Sequence, residues 1–134
     1  MKTATKLFLR IAISLGFLSA VADRFGLWPK EVSVWGNWKS FVAYTQQINP
    51  WVSGKLVEAL AITATVAEIV FALFLLIGFK TSLFAKLSGF MLLLFALAMT
   101  FSLGIKAPLD YSVYIASGAA FALSTMKEKY LEIG

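Results

Sequence analysis

The sequence predicts an all-α polytopic membrane protein: a four-transmembrane-helix up-down bundle with a short interfacial amphipathic helix between helices 1 and 2. Three observations lead there. The 134 residues are 60% hydrophobic with a mean hydropathy of +0.82, outside the usual soluble range. The apolar residues collect in runs of about twenty, which at about 1.5 Å of rise per residue cross a hydrocarbon core of about 30 Å. Those runs also leave little of the polar face that a soluble bundle needs. At this length the chain, residues 1–134, makes a single integral membrane domain.

The first membrane helix is expected over about residues 5–26, behind Lys2 and Lys6. Ala20-Val21-Ala22 mimics a signal-peptide cleavage site, but Arg10 interrupts the apolar region, so a retained helix is the expectation. Ala12, Gly16, Ser19/Ala20 and Asp23 share one face, a small-residue seam suited to close helix contact. The connection that follows holds all four tryptophans, Trp28, Trp35, Trp38 and Trp51. Within it Asn37 is an N-cap, and Trp38, Phe41, Val42, Thr45 and Ile48 recur at helical spacing. That predicts an interfacial helix over about 37–48, ended by Asn49-Pro50, with tryptophans as anchors at headgroup depth.

The second membrane helix, about 54–78, carries a stripe of Glu58, Ala61, Thr65, Glu68 and Ala72. The third, about 83–103, begins after Lys80-Thr81-Ser82 and bears Lys86 one turn in. The fourth, about 109–125, is rich in Ser, Ala and Gly, and a polar tail with Lys127, Glu128, Lys129 and Glu132 follows. Four passes place both termini on one side. The larger group of cations (Lys2, Lys6, Arg10, Lys80, Lys86, Lys127 and Lys129) makes that side cytoplasmic.

Charges inside the apolar runs are the candidate functional residues. A charge near the bilayer centre costs about 2.5–3.5 kcal/mol on insertion scales, so it marks a pairing or a function. Glu68 is expected to meet Arg10 or Lys86, with Thr65 beside it, forming an intramembrane polar site. A second group, Asp23, Arg24, Glu58, Asp110 and Tyr111 with Asn37 above, is expected to form an outer polar rim.

What the chain lacks narrows its chemistry further. With no Cys and no His, it has no disulfide, no thiol exchange, no cysteine-held iron–sulfur cluster, no histidine-ligated haem, and no His-bearing metal site or nucleophilic triad. No metal site is expected and no covalently bound cofactor. The net charge of +5 sits at the ends of apolar runs rather than on one basic face, which argues for lipid contact and against nucleic acid.

In the second helix, Ala67-Glu68-Ile69, Leu75-Leu76-Ile77-Gly78 and Lys80-Thr81 form an acid–apolar–glycine–basic series. In the first, Arg10, Phe17 and Arg24 follow one another at wide spacing. With these residues the chain resembles the DoxX family of small four-helix bacterial membrane proteins, over nearly its whole length. It departs where the family usually carries glycine: Phe71-Ala72 follow the acid, and Ser14 and Val21 stand in the first helix. The resemblance implies a membrane subunit or anchor of a redox complex in the inner membrane of a bacterium, associated with the quinone pool or with a partner oxidoreductase. Two other readings stay open: a binder or transporter of a small lipophilic molecule, and a structural or assembly protein. Self-association of the bundle stays open as well.

Overall fold

A computed structural model describes all 134 residues. The chain is all-helical: α1 (Lys2–Arg24), α2 (Trp38–Ile48), α3 (Lys55–Ile77), α4 (Thr81–Leu103), α5 (Lys106–Asp110) and α6 (Val113–Ser124). Three of these, α1, α3 and α4, are long and apolar enough to cross a membrane, each with 23 residues. The predicted helices agree with them to within a few residues at each end.

The distribution of polarity is the reverse of a soluble fold. Only 27 of the 134 residues are buried, and they include Lys6, Arg10, Ser14, Arg24, Thr65, Glu68 and Ser88. The outward surface of the long helices carries Phe8, Leu15, Val66, Leu73, Phe90, Leu94 and Phe101. Leaving such apolar area in water is unfavourable by about 25 cal/mol per Å². Against hydrocarbon the cost vanishes, and the polar groups become what must be hidden.

That requirement decides how α1 is turned. Its buried residues are Lys6, Arg10, Ser14, Phe17, Val21, Asp23 and Arg24; the seam expected from residue size contributes only Asp23, with Ala20 half-buried and Ala12, Gly16 and Ser19 turned outward. A Cβ on Gly16 would meet nothing within 4 Å. Taking cations out of lipid outweighs the gain from small-residue packing. Ser14 Oγ donates to the Ala72 carbonyl at 2.9 Å and Arg10 Nε to the Leu75 carbonyl at 2.9 Å, so α1 and α3 run antiparallel in a fixed register.

Between α3 and α4, Gly78 (φ 74) and Lys80 (φ 46) both take left-handed backbone and reverse the chain. Phe74 then stacks on Phe84 across the two helices, with ring centroids 4.6 Å apart. The closest helix pair is α4 with α6. Ser117 Oγ donates to the Gly89 carbonyl at 2.8 Å, Ser82 Oγ to the Ser124 carbonyl at 2.7 Å, and a Cβ on Gly89 would lie 2.9 Å from the Phe121 ring. The small residues expected to make the fourth helix pack closely do so here at Ser117 and Ala120.

The continuous helix expected over 109–125 is corrected. Ser112 stands at φ 57, which ends α5 and starts α6, leaving α6 with 12 residues. At about 1.5 Å per residue this is about 18 Å, less than a bilayer core. Pro108 falls in the first turn of α5, where its missing N–H breaks no helical bond.

The tail differs too. Expected only as a polar tail, it folds back under the bundle and closes the end where α1 begins. Arg10, 1% exposed, donates to the Tyr130 and Leu131 carbonyls at 2.8 Å each, and to the Leu76 carbonyl at 2.9 Å. Lys6 bonds the Glu132 carboxylate at 3.0 Å and the Glu128 carbonyl. Gly78 lies against Glu132, whose Cγ is 2.5 Å from where a Cβ would sit.

Candidate functional site

The site is built where α1 ends. Asp23 and Arg24 close that helix, and both are buried. Asp23 Oδ2 accepts from the backbone amides of Val34 and Trp35 at 2.8 and 3.0 Å, drawing the 25–37 loop back over the helix end. Trp28 Nε1 donates to the Ser19 carbonyl at 3.0 Å, laying the start of that loop along α1.

Asn37 Oδ1 accepts from the Ser40 amide at 2.8 Å, the expected N-cap of α2. The α2 residues Phe41, Thr45 and Ile48 turn inward. This brings two aromatic rings above Arg24: the guanidinium carbon lies 3.8 Å from the Phe41 centroid and 5.3 Å from that of Trp35. The two rings meet edge to face at 4.9 Å. A cation against two desolvated aromatic faces is held electrostatically as well as by packing.

Beneath that roof Arg24 Nη1 donates to Thr65 Oγ1 at 2.8 Å and forms an ion pair with Glu68 Oε2. Both side chains of the pair are less than 5% exposed. The carboxylate therefore has one cation, and the expected partners are corrected. In the register set by Ser14 and Ala72, Arg10 lies level with Leu76, eight residues or about 12 Å along α3 from Glu68. Lys86 is exposed, one position past the buried Ala85 and so rotated off the inward face of α4.

The expected outer rim divides. Asp23 and Arg24 are part of the buried site, whereas Glu58 and Asn37 are exposed. Asp110 pairs at the surface with Lys106 at 2.6 Å. Tyr111 is 73% exposed. It lies near Tyr44, whose hydroxyl is raised above its usual 10.0, first by burial and then by Tyr111. Of the four tryptophans expected as anchors, Trp28 and Trp51 are 45% and 61% exposed, while Trp35 and Trp38 are half-buried. Trp38 stacks on Phe25 at 5.7 Å.

Arg24 as the partner of Glu68 was not foreseen, nor that Trp35 and Phe41 of the tryptophan-rich segment would be the rings closing over it. A signal for the arginine was present: residues 10, 14, 17, 21 and 24 alternate by four and three, the spacing of one buried helix face.

Three buried polar atoms here have no hydrogen-bond partner in the chain: Asp23 Oδ1, Arg24 Nε and Trp35 Nε1. Two are donors, set among aromatic rings. Asp23 and Trp35 also line a groove of about 390 Å³ beside Gly16, Ser19 and Trp28, open along the flank of α1. The exposed seam of α1 thus forms one wall of a recess rather than a helix contact. Of the two donors only that of Trp35 belongs to a residue lining the groove, so the recess sets one indole ring with a free N–H, and the Asp23 carboxylate, before a ligand entering from the side. No family model, curated protein or solved structure matches the chain. The DoxX resemblance therefore rests on the residues quoted for it.

Proposed function

We propose that this is a DoxX-like subunit of a bacterial cytoplasmic membrane that holds a quinone or a similar lipophilic carbonyl compound for a partner oxidoreductase. The observation that carries the reading is the unmatched Trp35 Nε1 on the wall of the α1 groove, with Arg24 Nε also unmatched beside the buried ion pair. A buried donor without an acceptor costs about 1–3 kcal/mol, and a quinone carbonyl would relieve that cost. The ring would lie against Trp35 with its isoprenoid chain along the α1 groove.

The Arg24–Glu68 pair would fix the polar end of the site. Having no His or Cys, the chain depends on its partner to supply electrons. Family members usually carry glycine where Ser14 and Ala72 stand, and here these two residues bond α1 to α3 directly. This favours a ligand higher up, at Trp35. On this reading α5 and α6 together complete a fourth pass of an up-down bundle, and both termini are cytoplasmic.

The test is purification in mild detergent, with mass spectrometry of bound lipids and proteins and a quinone titration followed by tryptophan fluorescence. Quinone should copurify, and Trp35→Phe, which keeps the ring area but removes the donor, should weaken binding about five- to ten-fold. No retained quinone and no thermal protection by added quinone would leave the second reading. That reading is a structural pair setting helix register, favoured by the way Arg24 Nη1 is shared between Thr65 and Glu68.

A further inference from the structure

At the opposite end, between the start of α4 and the docked tail, lies a cavity of about 760 Å³. Five lysines line it: Lys6 from α1, Lys80 and Lys86 around the α4 start, and Lys127 and Lys129 from the tail. Its one side-chain carboxylate, Glu132, is already taken by Lys6 at 3.0 Å and Thr81 at 2.9 Å. Lys129 reaches the Gly134 oxygen at 3.2 Å, and the Lys80 ammonium lies 5.6 Å over the Phe79 ring. Lys86 and Lys127 have no hydrogen bond or ion pair within the chain, although both face the cavity.

The hydroxyls of Ser82 and Thr125 stand at the same wall, each donating to a backbone carbonyl and so with oxygen lone pairs rather than protons to spare. The donors to spare are the ammonium groups, and they repel one another unless an anion with several oxygens sits among them. The positive end of α4 adds to the same field without being needed for it.

We propose that this cavity binds a phosphate group, carried by the headgroup of an anionic glycerophospholipid. The lipid is the source because the cavity opens onto apolar helix surface. Leu83 lines the cavity and is 47% exposed, and Leu87, one turn further along α4, is 39% exposed. Acyl chains attached to a phosphate held by Lys86 and Lys127 would run along that flank. The site owes nothing to the quinone reading and lies at the other end of the molecule.

The full chain is reconstituted in nanodiscs of mixed phosphatidylglycerol and phosphatidylcholine, and the lipid retained on release is measured by native mass spectrometry. The wild type should retain phosphatidylglycerol over phosphatidylcholine. Lys86→Gln and Lys127→Gln should each lower that preference about five-fold, the effect of one lysine near an anionic surface. Lys2→Gln, exposed on the first turn of α1 and outside the cavity, should leave it unchanged. Both cavity variants alter exposed side chains, and an unchanged melting temperature confirms that they fold.

If lipid preference is absent but millimolar inorganic phosphate stabilises the wild type and not the Lys86→Gln/Lys127→Gln double variant, the phosphate site stands with a soluble source. Equal loss in Lys2→Gln would mean diffuse surface charge and overturn the proposal. So would a double variant that behaves as the wild type in both assays.

Discussion

Glu68 and Arg24 show what one residue must find before it can sit inside an apolar helix pair. Each is nearly devoid of solvent, so removing either partner strands the other's charge. We expect Glu68→Ala to destabilise the protein by about 3–5 kcal/mol, and the double change Arg24→Met/Glu68→Met to recover most of that loss. Thermal melting of the single and double variants in detergent checks both, and equal melting for single and double would contradict the pairing. The sequence marked Glu68 for burial because an acid amid Leu, Ile, Val and Phe is hard to explain otherwise. It did not mark the partner. Arg10 and Arg24 lie on the same face of α1, and the choice between them depends on the sliding of α1 against α3, which neither helix encodes alone. It depends also on the carbonyls of Tyr130 and Leu131 that engage Arg10, far off along the chain.

Among the elements, α1, α3 and α4 could be read from apolar length, and α2 from its cap and spacing. Two features could not. The break at Ser112 has no proline or glycine to announce it, only a left-handed backbone angle. The docking of the tail depends on side chains of three other elements. Glu132 is its clasp. Burial works against ionisation of its carboxyl, but hydrogen bonds from Lys6, Thr81 and the Tyr130 amide outweigh that and hold it below its ordinary value of 4.5. A group lowered on docking contributes above its undocked value and stops contributing as pH falls through the docked one. Tail docking should therefore hold from neutral pH down to about 4.5 and loosen below it. The protection of the amides over residues 126–134, taken relative to their intrinsic exchange at each pH, should fall at about pH 3 relative to neutral pH while that of α3 stays high. Unchanged tail protection would show that Glu132 is not the clasp.

Over the whole molecule, charge separates by end. Lys2, Lys6, Lys80, Lys86, Lys127 and Lys129 gather where the tail docks, and the tail's bonds to Lys6 and Arg10 put the two termini there together. With a positive-inside bias, reporters fused to either terminus should both read cytoplasmic, and one placed in the 25–37 loop should read the other side. Termini on opposite sides would mean that α5 and α6 do not complete a crossing. In the expected arrangement the roof over Arg24 faces the far side of the membrane, separated from the lysine cavity by the length of the bundle.

Arg10 has a consequence for biosynthesis. Its acceptors at Tyr130 and Leu131 lie 120 and 121 residues downstream, and at about 5–20 residues per second the ribosome takes several seconds to deliver them. Through that interval the guanidinium has only the Leu75 and Leu76 carbonyls of α3 to donate to, and those only once α3 has been made. The guanidinium is fully satisfied only when the segment holding Tyr130 and Leu131 arrives, so a product stalled or clipped before it would betray itself by a loose first helix.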